Sequence, residues 1–158
     1  MFGLRLIKRS LKRARKKRAP DKNYLAQKET ARRIISDRVA TLSLLGGVSP
    51  KRIAIRNTKR NWGSCSSLGN LNFNYKVALL PACLRDYIII HELCHLVHLN
   101  HKPEYWAEVE RHCADYLVRI NAVREVERVT NMKATAISEY SKGHQCDYCT
   151  QVMEYTQP

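Results

Sequence analysis

The chain has 158 residues and a formal net charge of +14, from 28 Lys and Arg against 14 Asp and Glu. That length suits one domain with a proper core. Apolar runs last only a few residues, which excludes a spanning helix, and "LRLI" is too short for the apolar region of a secretory signal. A soluble cytoplasmic protein is therefore expected. Its six cysteines should be reduced, so metal binding outranks disulfides for any cluster.

Most of the charge belongs to the start of the chain. Residues 1–20 hold nine Lys or Arg and no acid, leaving 19 basic against 14 acidic residues, or +5, for the rest. Such an arm could contact nucleic acid or an anionic surface by neutralising phosphates, or could be a solvated, disordered extension. It is acid-free and Arg-rich like an organelle transit segment, but one Ser makes it a poor one.

After Pro20, Leu25, Ala31, Ile34, Ile35, Val39 and Leu42 form a helical stripe that Gly46-Gly47 ends. Ile53 and Ile55 alternate with polar or small neighbours, as in a strand. A second strand around Trp62 to Cys65, a turn, and the alternation of Leu71, Phe73, Tyr75 and Val77 suggest a hairpin. A helix from about Leu84 to Leu99 follows Pro81. Another starts near Pro103 and continues past Ile120, with Tyr105, Trp106, Val109, Cys113, Tyr116, Leu117 and Ile120 on its buried side. Periodicity then fades. The expected class is α+β, divided into a basic arm (1–20), a domain (21–126) and a tail (127–158).

"IIIHELCHLVHLNH" (88–101) carries four of the six histidines. Residues four apart share one helix face, so His91 and His95 of the HExxH pattern can converge on one ion, with Glu92 placed to take a proton from a water. The flanking apolar residues would bury these groups, and buried histidines with a buried glutamate need partners. A third ligand is then expected. His98 shares the stripe but lies about 10 Å from His91 along a continuous helix, too far to share an ion. Pro103 disfavours helix at Lys102, and Asn100 tolerates a left-handed cap; a turn at Leu99-Asn100 would bring His101 back. Glu104, Glu108 and Glu110 are the rival ligands, Glu108 the best placed of the three. His98 remains as packing near the metal or as cleft wall.

The segments "RNTKRNWGSCSSLGNLNFNYKVALLP", "DYIIIHELCHLVHLNH" and "NHKPEYW" resemble the YgjP-like metallopeptidase domain family, a zincin group similar to SprT-like and WLM proteases. The resemblance spans about residues 22–125. It implies a zincin-like fold: a small antiparallel or mixed sheet packed on an N-terminal helix and the HExxH helix, with a C-terminal helix following. It also implies Zn2+ held by His91, His95 and His101, with Glu92 as catalytic base. The chain departs from the family at Lys102 and Glu104, where Ser and Arg are usual; Lys102 cannot cap a helix as Ser would.

The expected activity is that of a zinc-dependent hydrolase, a metallopeptidase acting on a peptide or protein. "LNFNYKV" is a candidate edge strand for pairing with an extended substrate, and Trp62 and Cys65 either line the cleft or fill the core. One alternative is a nucleoside triphosphate pyrophosphatase, with Lys51, Arg52, Arg56, Lys59 and Arg60 holding phosphates if they face the cleft. Another is a nucleic-acid-associated adaptor using residues 1–20. In the tail, His144, Cys146 and Cys149 have the spacing of half a zinc knuckle and lack a nearby fourth ligand.

Overall fold

The computed structural model describes residues 21–143. The basic arm and the cluster of His144, Cys146 and Cys149 therefore lie outside the described residues. Helix α1 spans Lys22–Gly46. The Asp21 side chain caps it by accepting from Asn23 N at 2.9 Å, and Gly47, at φ 62°, closes it in the left-handed conformation. Ala31, Ile35, Val39 and Leu42 form its buried face. Leu25 is exposed instead, because the stripe begins one turn later.

Three short strands follow: β1 (Arg52–Arg56), β2 (Gly63–Cys65) and β3 (Asn70–Asn74). Their order is β1-β3-β2, with β3 parallel to β1 and antiparallel to β2. The β2–β3 hairpin turns at Gly69, at φ 77°, whose N–H donates to Ser66 O at 2.9 Å. In β3, Leu71 and Phe73 are fully buried. The candidate edge strand is thus the central one, and among the described residues the edges of the sheet are β1 and β2.

Buried Asn74 explains how the segment between β1 and β2 is held. Its amide donates to Thr58 O at 2.9 Å and Asn61 O at 3.2 Å, and its Oδ1 accepts from Lys76 N at 3.3 Å. The last bond caps a 3-10 helix, Tyr75–Leu79. The hydrophobic alternation continues to Val77, but the chain has already left the sheet.

Helix α2 (Ala82–Cys94) is buried over most of its surface. A bidentate pair at 2.7 Å, Arg38 to Asp86, joins it to α1. The expected long final helix is broken into α3 (Pro103–His112) and α4 (Tyr116–Thr130). Asp115 accepts from Arg119 Nε at 2.9 Å, and Arg119 Nη1 donates to Cys83 O at 3.0 Å, so this clamp turns α4 against the start of α2. Leu117 is consequently exposed. Beyond residue 126 the weak periodicity conceals helix α5 (Ala134–Gly143), which buries Ile137 and donates Ser141 Oγ to Leu79 O at 2.6 Å.

No helix of the described residues is long and apolar enough to cross a membrane.

Candidate metal centre

Helix α2 ends about five residues earlier than its sequence suggests, at Cys94 and not Leu99. His95 is its C-cap, and Leu96 N and Val97 N bond back to Leu93 O (2.9 Å) and Cys94 O (3.1 Å), the tight pattern of a terminating turn. The His95 ring takes part: its Nδ1 lies 3.0 Å from His98 O. That bond makes Nδ1 the donor and leaves Nε2 with a free lone pair, the tautomer a metal ligand needs. His98 thus acts through its carbonyl. Its ring is not among the grouped nitrogens, and the helix has ended before it. Asn100 does not supply a left-handed cap; the positive-φ non-glycine residues among those described are Asn131 and Met132.

The turn returns the chain so that His101 faces α2 before α3 begins. Pro103 opens α3, and Lys102 at its N-cap makes no side-chain capping bond, as its chemistry requires. One ring nitrogen from each of His91, His95 and His101 lies within 4.8 Å of the others. His91 Nε2 and His101 Nε2 are 3.3 Å apart. Neighbouring ligands of a tetrahedral ion with bonds of about 2.0–2.1 Å are ~3.3–3.4 Å apart, so the donors fit one small divalent cation. The rival carboxylates do not join them. Glu108 binds His112 Nε2 at 3.0 Å and Arg111 at 2.9 Å, while Glu104 and Glu110 are exposed.

Glu92 is buried beside this group, and its Oε2 has no protein partner; neither has His91 Nδ1. Burial pushes the Glu92 carboxyl up to about 8. Burial, with the neighbouring His95 and His101 rings, pushes His91 down to about 3. His95 is also lowered, chiefly by burial. Neutral imidazoles are the form that ligates a cation.

The shell around these groups holds residues to which the sequence reading gave no role at the site. Tyr105, fully buried on α3, stacks on His95 (centroids 4.5 Å, 25°) and donates its hydroxyl to His91 O at 3.1 Å. Trp106 lies 5.6 Å from the His101 ring. Both belong to "NHKPEYW", so the signal was present, although helical periodicity reads Tyr105 as ordinary core. Gly63 on β2 has no room for a side chain: a β-carbon there would lie 2.6 Å from Glu92 Cγ. Cys65, two residues on, is half-buried, and its thiol is raised by burial and by the Glu92 charge. Trp62 is a core residue whose Nε1 donates to Glu127 at 2.7 Å. Arg52 and Arg56 lie on β1, separated from β2 by β3.

A family model described as "YgjP-like, metallopeptidase domain" matches residues 4–125. Similar solved structures include the metallopeptidase zymogen abylysin of Pyrococcus abyssi, 28% identical, covering 48% of this chain and 76% of that one with a TM-score of 0.44. Another is the metallopeptidase zymogen jannalysin of Methanocaldococcus jannaschii, 24% identical, covering 56% and 94% with a TM-score of 0.46. No curated protein matches the chain. The family match extends over well more than half of the sequence and includes the whole histidine group. The chain belongs to the YgjP-like metallopeptidase domain family.

Proposed function

We propose that the protein is a zinc-dependent peptidase in which His91, His95 and His101 bind the metal and Glu92 is the general base. The observation that carries this reading is the meeting of three ring nitrogens within 4.8 Å, with the buried, unpartnered carboxylate of Glu92 next in sequence to His91. Three neutral imidazoles, one pair of them 3.3 Å apart, suit Zn2+ better than oxygen-seeking Mg2+ or Ca2+. When bound, such a cation would supply Lewis acidity, acidifying a water and polarising a substrate carbonyl.

The chain's own groups do the rest. Glu92 Oε2 accepts the proton of the attacking water and passes it to the departing amide nitrogen. The high proton affinity that burial gives this carboxyl suits both transfers. The free edge of β2 runs beside Glu92, because Gly63 abuts it, and offers main-chain groups to an extended peptide. Peptide is favoured over nucleotide by that strand edge; among the described residues the shifts of His91, His95 and Glu92 arise from burial, neighbouring imidazoles and the His98 carbonyl.

The test is Glu92→Gln compared with the unaltered protein, for bound metal and for hydrolysis of an unstructured protein such as casein and of nucleoside triphosphates. The variant should hold one zinc per chain and lose peptide hydrolysis by at least about 100-fold. Turnover retained without the carboxylate would refute the mechanism, and phosphate release in place of peptide cleavage would refute the substrate class.

A further inference from the structure

On another part of the molecule, and sharing no residue with the histidine group, lies a recess of about 510 Å³. Lys59, Lys76 and Lys133 all line it, from three separate elements. Lys59 comes from the segment that Asn74 holds, Lys76 from the 3-10 helix, and Lys133 from the link into α5. Among the described residues none of the three has a carboxylate within ion-pair distance. Asp21 lines the same recess, but its side chain is engaged in capping α1. Three cationic side chains share one concavity with a single acid, an arrangement that an anion complements.

The backbone adds to the cations. Asn131 and Met132 take consecutive left-handed conformations, φ 46° and 52°, and these turn Lys133 and the start of α5 to the recess. Ala134 and Thr135, in the first turn of α5, line it as well, and that turn carries no acidic residue. Burial lowers Lys76 against the opposing pull of Asp21, so its charge is partly stripped of water before any ligand arrives.

We infer that the recess formed by Lys59, Lys76 and Lys133 seats backbone phosphate of a single-stranded nucleic acid. A polymer is favoured over a free phosphate because residues 1–20, with nine basic residues and no acid, join the described chain at Asp21 on the rim of the recess. The charge of that segment favours a ligand that carries more than one phosphate. A membrane is disfavoured by shape and lining. None of the exposed large apolar side chains of the described residues borders the recess, so there is nothing to insert into a bilayer. The inference is independent of the peptidase reading, since none of these lysines touches the histidine group.

The experiment uses the full chain and labelled single-stranded RNA of about 20 nucleotides, titrated by fluorescence anisotropy between ~50 and ~200 mM salt. The variant combining Lys59→Gln, Lys76→Gln and Lys133→Gln should bind about tenfold more weakly at ~100 mM salt. Its slope of log affinity against log salt should be shallower by about 0.7, the contribution of one single-strand phosphate lost from the recess. The corresponding Lys→Arg variant should recover the affinity. Circular dichroism establishes that the variants fold, and single Lys59→Gln and Lys133→Gln changes serve if the triple change does not. Affinity and salt slope unchanged by the Gln substitutions would overturn the inference, as would RNA binding absent from the unaltered protein. So would loss of binding confined to vesicles of phosphatidylserine and phosphatidylcholine.

Discussion

Gly63 on β2 and Glu92 on α2 are packed so closely that a β-carbon at Gly63 would lie 2.6 Å from Glu92 Cγ and 2.7 Å from its carboxyl carbon. A contact under 3 Å with the rigid stem of a buried side chain cannot be absorbed by a small rotation. Either β2 moves away from α2 or the carboxylate swings from its place beside the histidines. Gly63→Ala is therefore expected to cost about 1–3 kcal/mol of stability, as overpacking does, and to reduce peptide hydrolysis more than metal content. Thermal melting, zinc stoichiometry and turnover measured together test this. A Gly63→Ala protein with unaltered turnover would show that the contact does not position Glu92.

Burial gives the neighbours His91 and Glu92 opposite proton preferences. In the metal-free protein His91 falls from 6.5 to about 3, while Glu92 rises from 4.5 to about 8. As pH drops from 6.5 towards 3, the unfolded chain takes up a proton at His91 that the folded chain refuses, so stability is lost on the acid side. As pH rises from 4.5 towards 8, the unfolded chain releases a Glu92 proton that the folded chain retains, so stability is lost on the alkaline side too. Between 4.5 and 6.5 the two slopes oppose and cancel. Urea denaturation in the presence of a chelator should thus show a plateau flanked by limbs of up to ~1.4 kcal/mol per pH unit. Glu92→Gln should abolish the limb above pH 6.5; its persistence in that variant would assign it to another group.

The grouping of His91 and His95 was legible in the sequence because helical pitch is a local property: residues four apart share a face in any helix. The approach of His101 was legible for the wrong detail. A break was needed and Pro103 supplied one, but the helix stops at His95, where a ring nitrogen 3.0 Å from the His98 carbonyl helps to close the turn. That is a side-chain choice, and no hydrophobic pattern encodes it. Strand order was similarly hidden. The alternation in β3 marks a strand, yet nothing local says that β1 will pair with it in parallel on the far side from β2. The break between α3 and α4 depends on Arg119 reaching the Cys83 carbonyl, a contact 36 residues apart. Each miss has the same origin: the deciding partner is distant in sequence or is a single polar atom.

Tyr105 supports the site from behind. Its hydroxyl donates to the His91 carbonyl at 3.1 Å, near the end of α2, where the His95 N–H has turned to Leu93 O. Removing the hydroxyl leaves that carbonyl with one donor fewer while the ring still stacks on His95. Tyr105→Phe is expected to cost about 1 kcal/mol of stability and to weaken zinc retention by about tenfold, within the range for groups that orient ligands. Tyr105→Ala also removes the stacked ring from a fully buried site, at a cost of about 3–5 kcal/mol. Competition for zinc with a chromophoric chelator measures the first effect. Equal retention by the Phe variant and the unaltered protein would leave Tyr105 a packing residue only.

Trp62 separates core from cleft in the most specific stretch of the sequence, "WGSC". The indole is buried, and its Nε1 donates to Glu127 on α4 at 2.7 Å, so the bond ties the start of β2 to a helix that carries none of the site residues. A hydrogen bond to a charged acceptor is worth about 1.5–3 kcal/mol. Trp62→Phe keeps most of the buried ring and deletes the donor, so it should lower Tm by several degrees. Below that temperature, KM and kcat for peptide hydrolysis should match those of the unaltered protein, because the indole has no role in binding substrate. Glu127→Gln, which retains an acceptor oxygen without the charge, should be milder than Trp62→Phe in the same melts. A raised KM with unchanged Tm in Trp62→Phe would place the indole in the cleft and refute its assignment to the core.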